Sequence, residues 1–292
     1  MNIKILFLLP ILVIALVYGT IFVLRLFIDS TSPFEVTISN SVIKFERNED
    51  GILSAYGGSI DDLPKAVGYA HAMDRWAQMD ITRIIGHGRL AELLVANEET
   101  VRVDSFIRNM GFTADARHSL EVIDEESRDW LEKYTEGVNT YLSQMTIKPL
   151  ELILTGREVE EWKCEDSLVA LKILSYIGLA STQQDFEKVL FQAVRGGVDV
   201  KDLSEIFPLL TDYSPEIVDL LKKIEVAGPL VPKEVEFLVD KMVPSFHASN
   251  NFGIGKGSSS SSNALLGLDP HLGINRIPAV WLEVFCQFDI IF

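Results

Sequence analysis

One stretch near the end of the chain combines residue types that can do nucleophilic chemistry. It begins with Ser249 and Asn250 and reaches His271, 22 residues after the serine. A serine hydroxyl is a poor nucleophile at neutral pH, so it needs a base near it. Taken singly, Ser249 is typical of a serine that starts a strand, and His271 is typical of a histidine after an Asp-Pro turn. The surrounding pattern therefore has to decide whether either residue is functional.

A second stretch, from Gly68 to Met79, carries a histidine and a carboxylate at helical spacing. His71 and Asp74 lie three residues apart and could share a metal ion. A lone pair of this kind is far more often a capping or surface interaction, because metal sites need more ligands. The segment Gly88–Glu92, with the sequence GRLAE, follows this helix.

Several other motifs fail on inspection. Gly255–Gly257 is similar to part of a phosphate loop, but Asn250 stands where that motif needs glycine and Gly257 where it needs serine or threonine. No G-x-S-x-G nucleophile elbow occurs in the sequence. Cys164 and Cys286 form neither a disulfide framework nor a CxxC metal site, although a single bridge between them stays open.

The charge balance excludes nucleic acid as the main partner. The chain has 26 Lys and Arg against 42 Asp and Glu, a net charge of −16. Such a protein repels phosphate backbones. Hydrophobic residues at 48% and charged residues at 23% of 292 positions predict a globular chain with a sizeable core.

The first thirty residues form a separate segment. Ile5–Leu24 contains twenty residues without a charge, and a helix of that length spans roughly 30 Å, the thickness of a bilayer core. We expect an uncleaved transmembrane anchor here, because the run is long for a secretory signal and no A-x-A cleavage pattern follows it. Lys4 before the run and Arg25 after it leave its orientation open, and an extracytoplasmic location for the rest of the chain is a separate expectation that rests on the motifs described below.

Periodicity predicts strands at both ends of the remaining chain and helices between them. Residues 34–58 alternate apolar and polar positions, and the chain becomes extended and glycine-rich again from Asn250. Asp124–Gln144 is amphipathic, and we expect a long helix from Asp166 to about Ala193. The five serines of 258–262 predict a polar turn between two strands. A further strand is expected over 279–285.

The two stretches together resemble the penicillin acylase (penicillin amidase) family of N-terminal nucleophile hydrolases. The first stretch is similar to the family's GYAHAQDR helix and the GRLAE after it, with Met73 in place of the usual glutamine. The second is similar to the SNN-aromatic start of the catalytic chain and its downstream DPHLG. Weaker similarities lie between them, at Tyr134–Tyr141 and at Trp162–Ser167, so the resemblance covers about residues 36–285.

The resemblance implies a catalytic mechanism that starts with cleavage of the chain. The bond Ala248–Ser249 would be cut by attack of Ser249 on the Ala248 carbonyl, and the freed α-amine would then serve as the base for the serine hydroxyl. An α-amine has an ordinary pKa of about 7.7–8.0, which suits a general base near neutral pH. His271 would orient the amine or the hydroxyl and help proton transfer, and Asn250 would position the new amino terminus.

The resemblance also suggests binding residues on the long helix. Ile177 and Ser181 align with the family's acyl pocket, and Glu187 with a calcium-binding carboxylate. One carboxylate is weak support for a structural Ca²⁺ ion, which takes six to eight oxygen ligands. No organic cofactor is implied. The substrate would be a linear amide, and the family's penicillins, aliphatic acyl amides and acyl-homoserine lactones all stay open.

We therefore expect an α+β fold with an N-terminal transmembrane helix, a mostly helical region and a few strands of an incomplete αββα sandwich. The expected division is 1–29 for the anchor or signal, 30–226 for the helical region, 227–248 for a spacer and 249–292 for the start of the catalytic chain. The family's catalytic chain continues for several hundred residues more. We thus expect a fragment, a truncated product or one half of a split protein whose partner is the remaining catalytic chain.

Two other hypotheses stay open. The chain could be a truncated, inactive, membrane-anchored remnant of such an enzyme, or a subunit that binds a partner supplying the missing strands. It could also be an anchored helical binding module without hydrolase ancestry, in which case Ser249 and His271 would have no significance.

Overall fold

The computed structural model describes residues 16–17, 19–20, 32–146, 148–176, 181–207, 214–225, 231–235, 249–260, 263–271 and 282–288. The strands are β1 Phe34–Ile38, β2 Ser41–Arg47, β3 Leu53–Gly57, β4 Ser249–Ile254, β5 Leu265–Pro270 and β6 Val284–Phe288. The helices are α1 Leu63–Gly86, α2 Leu90–Leu93, α3 Glu98–Met110, α4 Phe112–Val122, α5 Glu125–Gln144, α6 Leu150–Thr155, α7 Cys164–Ser175, α8 Ser181–Arg195, α9 Val200–Leu203 and α10 Pro215–Lys223. Short 3₁₀ turns lie at Ile60–Asp62 and Lys256–Ser258.

The chain divides into two compact units. The first consists of residues 1–74, 129–145 and 283–292, and the second of residues 75–128 and 146–282. Helix α1 contributes to both units, and Arg75 leaves helical geometry at the boundary with φ −136° and ψ 17°. Each unit has its own buried apolar cluster, so each is described separately.

The first unit contains a four-stranded sheet in the order β1-β2-β3-β6. Strand β2 pairs antiparallel with β1 and with β3, whereas β6 runs parallel to β3. Alternate residues of β1 and β2 are buried, as the sequence pattern predicts for a sheet with one covered face. The buried side chains are those of Val36, Ile38, Ile43, Phe45, Leu53 and Ala55.

Helix α1 covers this face of the sheet. Ala66, Tyr69 and Ala70 of α1 are buried against the strand residues. The ring of Tyr69 stacks on Phe45 with centroids 5.1 Å apart and meets Tyr141 of α5 edge-on at 5.4 Å. Burial of such large rings supplies most of the stabilisation of a small sheet-on-helix layer.

Two glycines let α1 and α5 cross closely within the first unit. A Cβ atom on Gly68 would lie 2.1 Å from the carbonyl oxygen of Tyr134, and one on Gly137 would lie 2.0 Å from that of Lys65. Real Cβ atoms do not approach backbone that closely, so any larger residue would push the helices apart. The close crossing gives a physical reason for Gly68 in the GYAHA sequence and for Gly137 on the facing helix.

Among its described residues, the regular structure of the second unit is helical apart from β4 and β5. Its main cluster contains apolar side chains from α1 to α4 and from the end of α7; its buried members are Ile84, Ile85, Leu90, Val103, Ile107, Phe112, Ile173, Tyr176 and Val235. Gly86 permits close contact of α1 with α7, because a Cβ there would lie 2.3 Å from Val169. A smaller cluster joins α8, α9 and α10 through Leu190, Val194, Val200 and Leu203, with Val218 and Leu221 against it.

The GRLAE segment has a clear structural role in the second unit. Asp104 of α3 is buried, and its two carboxylate oxygens accept hydrogen bonds from the backbone N–H groups of Leu90 and Ala91, each at 2.8 Å. These groups start α2 and have no partner inside that helix. Gly88 supplies the left-handed turn before it, with φ +62°. The segment is therefore a capped helix start.

Two described helices cover most of the expected long helix from Asp166 to about Ala193. The structure has two helices, Cys164–Ser175 and Ser181–Arg195, and residues 177–180 between them lie outside the described part. Asp166 still has a capping role, since its carboxylate accepts a hydrogen bond from the Lys163 backbone N–H at 2.8 Å. It acts from the first turn of the helix, which begins two residues earlier than expected.

The expectation of an N-terminal transmembrane helix over Ile5–Leu24 is also wrong. In the ranges that the structure describes, no helix is both long and apolar enough to cross a bilayer. The longest, α1, has 24 residues, but charged side chains such as Lys65, Asp74 and Arg83 interrupt it. Of the expected span, only residues 16–17 and 19–20 are described. The described fold is α+β, and the expected boundaries at 29, 226 and 248 stay predictions.

Substitution of Gly137 by alanine tests the close helix crossing. Alanine normally favours a helix interior over glycine by about 1 kcal/mol, yet we expect Gly137→Ala to lower the free energy of unfolding by about 1–3 kcal/mol because the methyl group meets the Lys65 backbone. Urea unfolding followed by circular dichroism measures this. Gly58→Ala is the control, since nothing lies within 4 Å of a Cβ at Gly58. A Gly137→Ala protein as stable as the control would contradict the crossing.

Candidate active site

The hairpin of β4 and β5 positions the predicted nucleophile. The strands are antiparallel, with Ser249 paired with Pro270, Asn250 with Asp269 and Phe252 with Gly267. A Cβ on Gly267 would lie 2.2 Å from the Phe252 ring, so glycine is needed for that ring to lie across the pair. The polar turn expected from the serine run does separate two paired strands.

Three polar side chains meet at the open end of this hairpin. Nε2 of His271 lies 3.0 Å from the Asp269 carboxylate and 3.4 Å from Nδ2 of Asn250. Side chains on a strand alternate between faces, so Asn250 and its partner Asp269 share one face, and Ser249 is expected on the other. Ser249 is exposed at the start of β4, one residue along the backbone from Asn250.

Asp269 is the residue of this group that the sequence analysis missed. It was expected to form a turn with Pro270, but both residues belong to β5 and pair with β4. Proline is tolerated there because it ends the strand, where its missing N–H costs no interior hydrogen bond. The signal that could have found Asp269 is its spacing: residues two apart on a strand point to the same side, which brings it to His271.

The other predicted site residues are not drawn into this group by the described structure. Ala248 and Ile177 lie outside the described residues, and Ser181 is the first residue of α8. Glu187, also on α8, accepts a hydrogen bond from Nε2 of Gln183 at 2.7 Å. Nowhere in the described ranges do three or more His, Cys, Asp or Glu side chains gather as they would around a metal ion. A calcium ion at Glu187 therefore stays a prediction, and no step is assigned to calcium.

His71 and Asp74 do not form a pair with each other. Nδ1 of His71 lies 3.0 Å from the Tyr134 hydroxyl. Asp74 instead forms a bidentate ion pair with Arg47, with N–O distances of 2.6 and 3.2 Å. Burial lowers the pKa of His71, partly offset by the charge of Asp74, and raises the pKa of Tyr134 to about 12. These contacts fasten α1 to α5 and β2 in the first unit, so their role is structural.

A buried ionic cluster lies in the second unit around Arg83. Its guanidinium contacts Asp80 at 2.9 Å and Asp166 at 3.5 Å, and lies over the rings of Trp76 and Trp162 at 5.1 and 5.5 Å. Arg157 completes the cluster through Asp80 at 2.7 Å. Two of these ion pairs, Arg83–Asp166 and Asp80–Arg157, join residues more than seventy positions apart in the sequence.

His87 extends the cluster to a third helix. Its Nε2 lies 2.8 Å from Asp166, and its Nδ1 lies 2.9 Å from the hydroxyl of Thr113 on α4. Burial raises the pKa of Asp166, but the bonds from His87 and the Lys163 N–H and the charge of Arg83 outweigh it, so the net pKa is lowered. A cleft of about 530 Å³ lies beside these residues. The buried charged side chains beside this cleft are paired with one another, which indicates a structural role.

In the comparison with known proteins, one family model covers both Gly68–Glu92 and Ser249–Gly273. The family model described as Penicillin amidase matches residues 43–289, most of the chain. The chain belongs to the penicillin amidase family.

Individual relatives in the family cover the same region. An acyl-homoserine lactone acylase, QuiP, from Pseudomonas aeruginosa is 29% identical over 247 residues, which are 82% of this chain and 28% of the relative. The penicillin acylase 2 proenzyme of a Pseudomonas species is 26% identical over 254 residues, 82% of this chain and 31% of the relative. The chain thus spans less than a third of the length of these curated relatives.

One solved structure in the comparison is a thermostable penicillin G acylase from Alcaligenes faecalis. The likeness has a TM-score of 0.45 at 21% identity and covers 66% of this chain and 97% of that chain. The family assignment rests on the family model, and it confirms the resemblance inferred from the SNN and DPHLG sequences.

Asp166 provides a test of the ionic cluster in this penicillin amidase family member. We expect Asp166→Asn to lower the free energy of unfolding by about 3 kcal/mol, because it leaves Arg83 and His87 short of a buried anionic partner. Since the folded-state pKa of Asp166 is lowered, its contribution is present above its ordinary pKa of 3.8 and is lost as the pH falls through the folded value.

Urea unfolding at pH 7 and at successively lower pH measures both effects. The wild-type protein should lose more stability on acidification below about pH 4 than Asp166→Asn does. Glu161→Gln is the matched control, because the Glu161 side chain lines the same cleft but the residue is exposed. Equal stability of the two variants at pH 7 would show that the cluster does not hold the unit together.

Proposed function

We propose that the protein is an amidohydrolase that cleaves a linear amide and releases an acyl group from an amine through an acyl-enzyme on Ser249. The observation that carries the proposal is the hairpin, in which Ser249 precedes Asn250 on the strand and pairs with Pro270, the residue before His271, in a chain of the penicillin amidase family. The relatives named as acylases support the reaction class.

The first step of the proposal is a single cut at Ala248–Ser249. Oγ of Ser249 adds to the Ala248 carbonyl carbon, and the peptide nitrogen leaves as the amine of Ser249, so the amide becomes an ester. Water then hydrolyses that ester, which leaves a carboxylate on Ala248 and a free amino terminus on Ser249. The exposed position of Ser249 at the start of β4 leaves room for the attack.

The second step uses the amine that the cut releases. It takes the proton of Oγ as the hydroxyl attacks the substrate carbonyl, and it returns that proton to the leaving amine. The acyl group stays on Ser249 until water removes it. An α-amine is suited to this exchange because its ordinary pKa lies near neutral pH.

His271 and Asn250 are proposed to act beside that amine. They lie on one face of the hairpin with Asp269, and each is one residue along the backbone from the paired residues Ser249 and Pro270. Their polar groups can orient the new amino terminus and exchange protons with it. The roles of Ile177 and Ser181 in an acyl pocket, of Glu187 toward calcium, and a location outside the cytoplasmic membrane stay predictions.

We propose acyl amides as the substrate class. The names of the relatives refer to acyl-homoserine lactones and penicillins. For this chain, the amine and the length of the acyl group are left to measurement, with nitroanilide amides of increasing acyl length as the probes. Because the chain spans less than a third of these relatives, turnover is best measured in the longest form of the gene product.

Ser249→Ala tests the proposal. The unsubstituted protein should yield a second chain that begins with Ser249, detected by intact-mass spectrometry and N-terminal sequencing, and Ser249→Ala should abolish it. Amide hydrolysis should fall on the order of 10⁴-fold or more, since nucleophile and base are lost together. Ser258→Ala is the control, because Ser258 is an exposed serine of the same hairpin turn.

Two outcomes would overturn the proposal. Amide hydrolysis by a protein that keeps the 248–249 bond intact would exclude the liberated amine as base. A protein that neither cleaves itself nor hydrolyses any probe in its longest form would support the inactive remnant.

A further inference from the structure

Two contacts of His271 require different protonation states of the same ring nitrogen. Nε2 of His271 lies within hydrogen-bond distance of both the Asp269 carboxylate and the Asn250 amide nitrogen, at 3.0 and 3.4 Å. An ionised carboxylate only accepts hydrogen bonds, and an amide NH₂ group only donates them. Asp269 therefore requires a proton on Nε2, whereas Asn250 requires that Nε2 carry none.

The distances and charges decide this conflict in favour of Asp269. Its contact is the shorter of the two, and a hydrogen bond to a charged acceptor is about twice as strong as a neutral one. In the neutral ring only one nitrogen carries a proton. If that proton is on Nε2, then Nδ1 becomes the nitrogen with a free lone pair.

We propose that Asp269 is the positioning residue of this site: it holds the proton on Nε2 of His271 and so leaves Nδ1 as the ring's proton acceptor. This inference rests on the proposed function, in which His271 exchanges protons with the amine of Ser249. Asp269 does not touch the reacting atoms and acts through the histidine. Asn250 is then free to contact the new amino terminus instead of the ring.

Two substitutions separate the contact of His271 with Asp269 from its contact with Asn250. Asp269→Ala removes the carboxylate and leaves the Asn250 amide as the ring's partner, so the proton should move to Nδ1. Asn250→Ala removes the weaker contact and should leave the proton on Nε2. Asp269→Glu retains the charge and should restore the Nε2–H form in part. Asp219→Asn, on the exposed face of α10, removes one negative charge elsewhere and serves as the control.

The tautomer can be measured without any turnover. Long-range proton–nitrogen NMR of the ¹⁵N-labelled protein at about pH 9, where an ordinary imidazole is neutral, distinguishes protonated from unprotonated ring nitrogens. The His271 signals are assigned by their loss in His271→Gln. We expect a protonated Nε2 in the wild type, Asn250→Ala and Asp219→Asn, and a protonated Nδ1 in Asp269→Ala.

A kinetic measurement adds the functional consequence. We expect Asp269→Ala to slow cleavage before Ser249 and the kcat of amide hydrolysis by about 10- to 100-fold, less than the full contribution of a general acid–base group. KM should change little, and Asp269→Glu should recover part of the rate.

The result that overturns the inference is a wild-type ring protonated on Nδ1, or an Asp269→Ala spectrum identical to the wild type. Either can occur while Ser249 is still cleaved and the proposed function stands. Conversely, a chain without cleavage or turnover but with the expected tautomers would contradict only the proposed function.

Discussion

Backbone hydrogen bonds between β4 and β5 set which side chains meet at the end of the hairpin. Pairing of Asn250 with Asp269 puts both on one face, where His271 joins them. A slip of one residue would move Asn250 to the opposite face and break the contact with the ring. The chemistry proposed for Ser249 therefore depends on strand register more than on any single side-chain bond. Gly267 helps to fix that register, because only glycine accommodates the Phe252 ring at the facing position.

The helical parts of both units are held by contacts that involve no reacting atom. In the first unit, Gly68 and Gly137 allow backbone to approach backbone. In the second, Gly86 makes room for the side chain of Val169 on α7, and the charges around Arg83 neutralise one another in a buried position. Buried charges of this kind are costly alone and tolerable only in a complete set.

Much of the fold could be predicted from local pattern. The strands of 34–57 follow from alternation, and helix α5 from its apolar stripe, because burial of one face leaves a periodic signal in the sequence. The start of α7 was placed two residues too late, because Asp166 caps this helix from its first turn. The apolar run at Ile5–Leu24 gave a wrong prediction of a membrane span. Asp80, Arg83 and Arg157 could not be paired in advance, because their contacts depend on tertiary structure.

The site was predictable only in part, for a related reason. Ser249, Asn250 and His271 were found through their resemblance to a family pattern, which the family model confirms at the level of the whole chain. Asp269 was assigned to a turn because the Asp-Pro dipeptide is typical of turns. Its position on β5 follows from pairing with β4, and its two-residue spacing from His271 is informative only once that strand is known. The residue that sets the histidine's tautomer thus emerged only from the structure.

The central claim is that Ser249 becomes reactive when its own nitrogen is freed. Labelling with a serine-directed sulfonyl fluoride, followed by peptide mass spectrometry, tests this most directly. The account predicts a label on Ser249 only in chains that begin at that residue, and none on the uncut form. A label on Ser249 within an intact 248–249 bond, or on a different serine in an active protein, would contradict it.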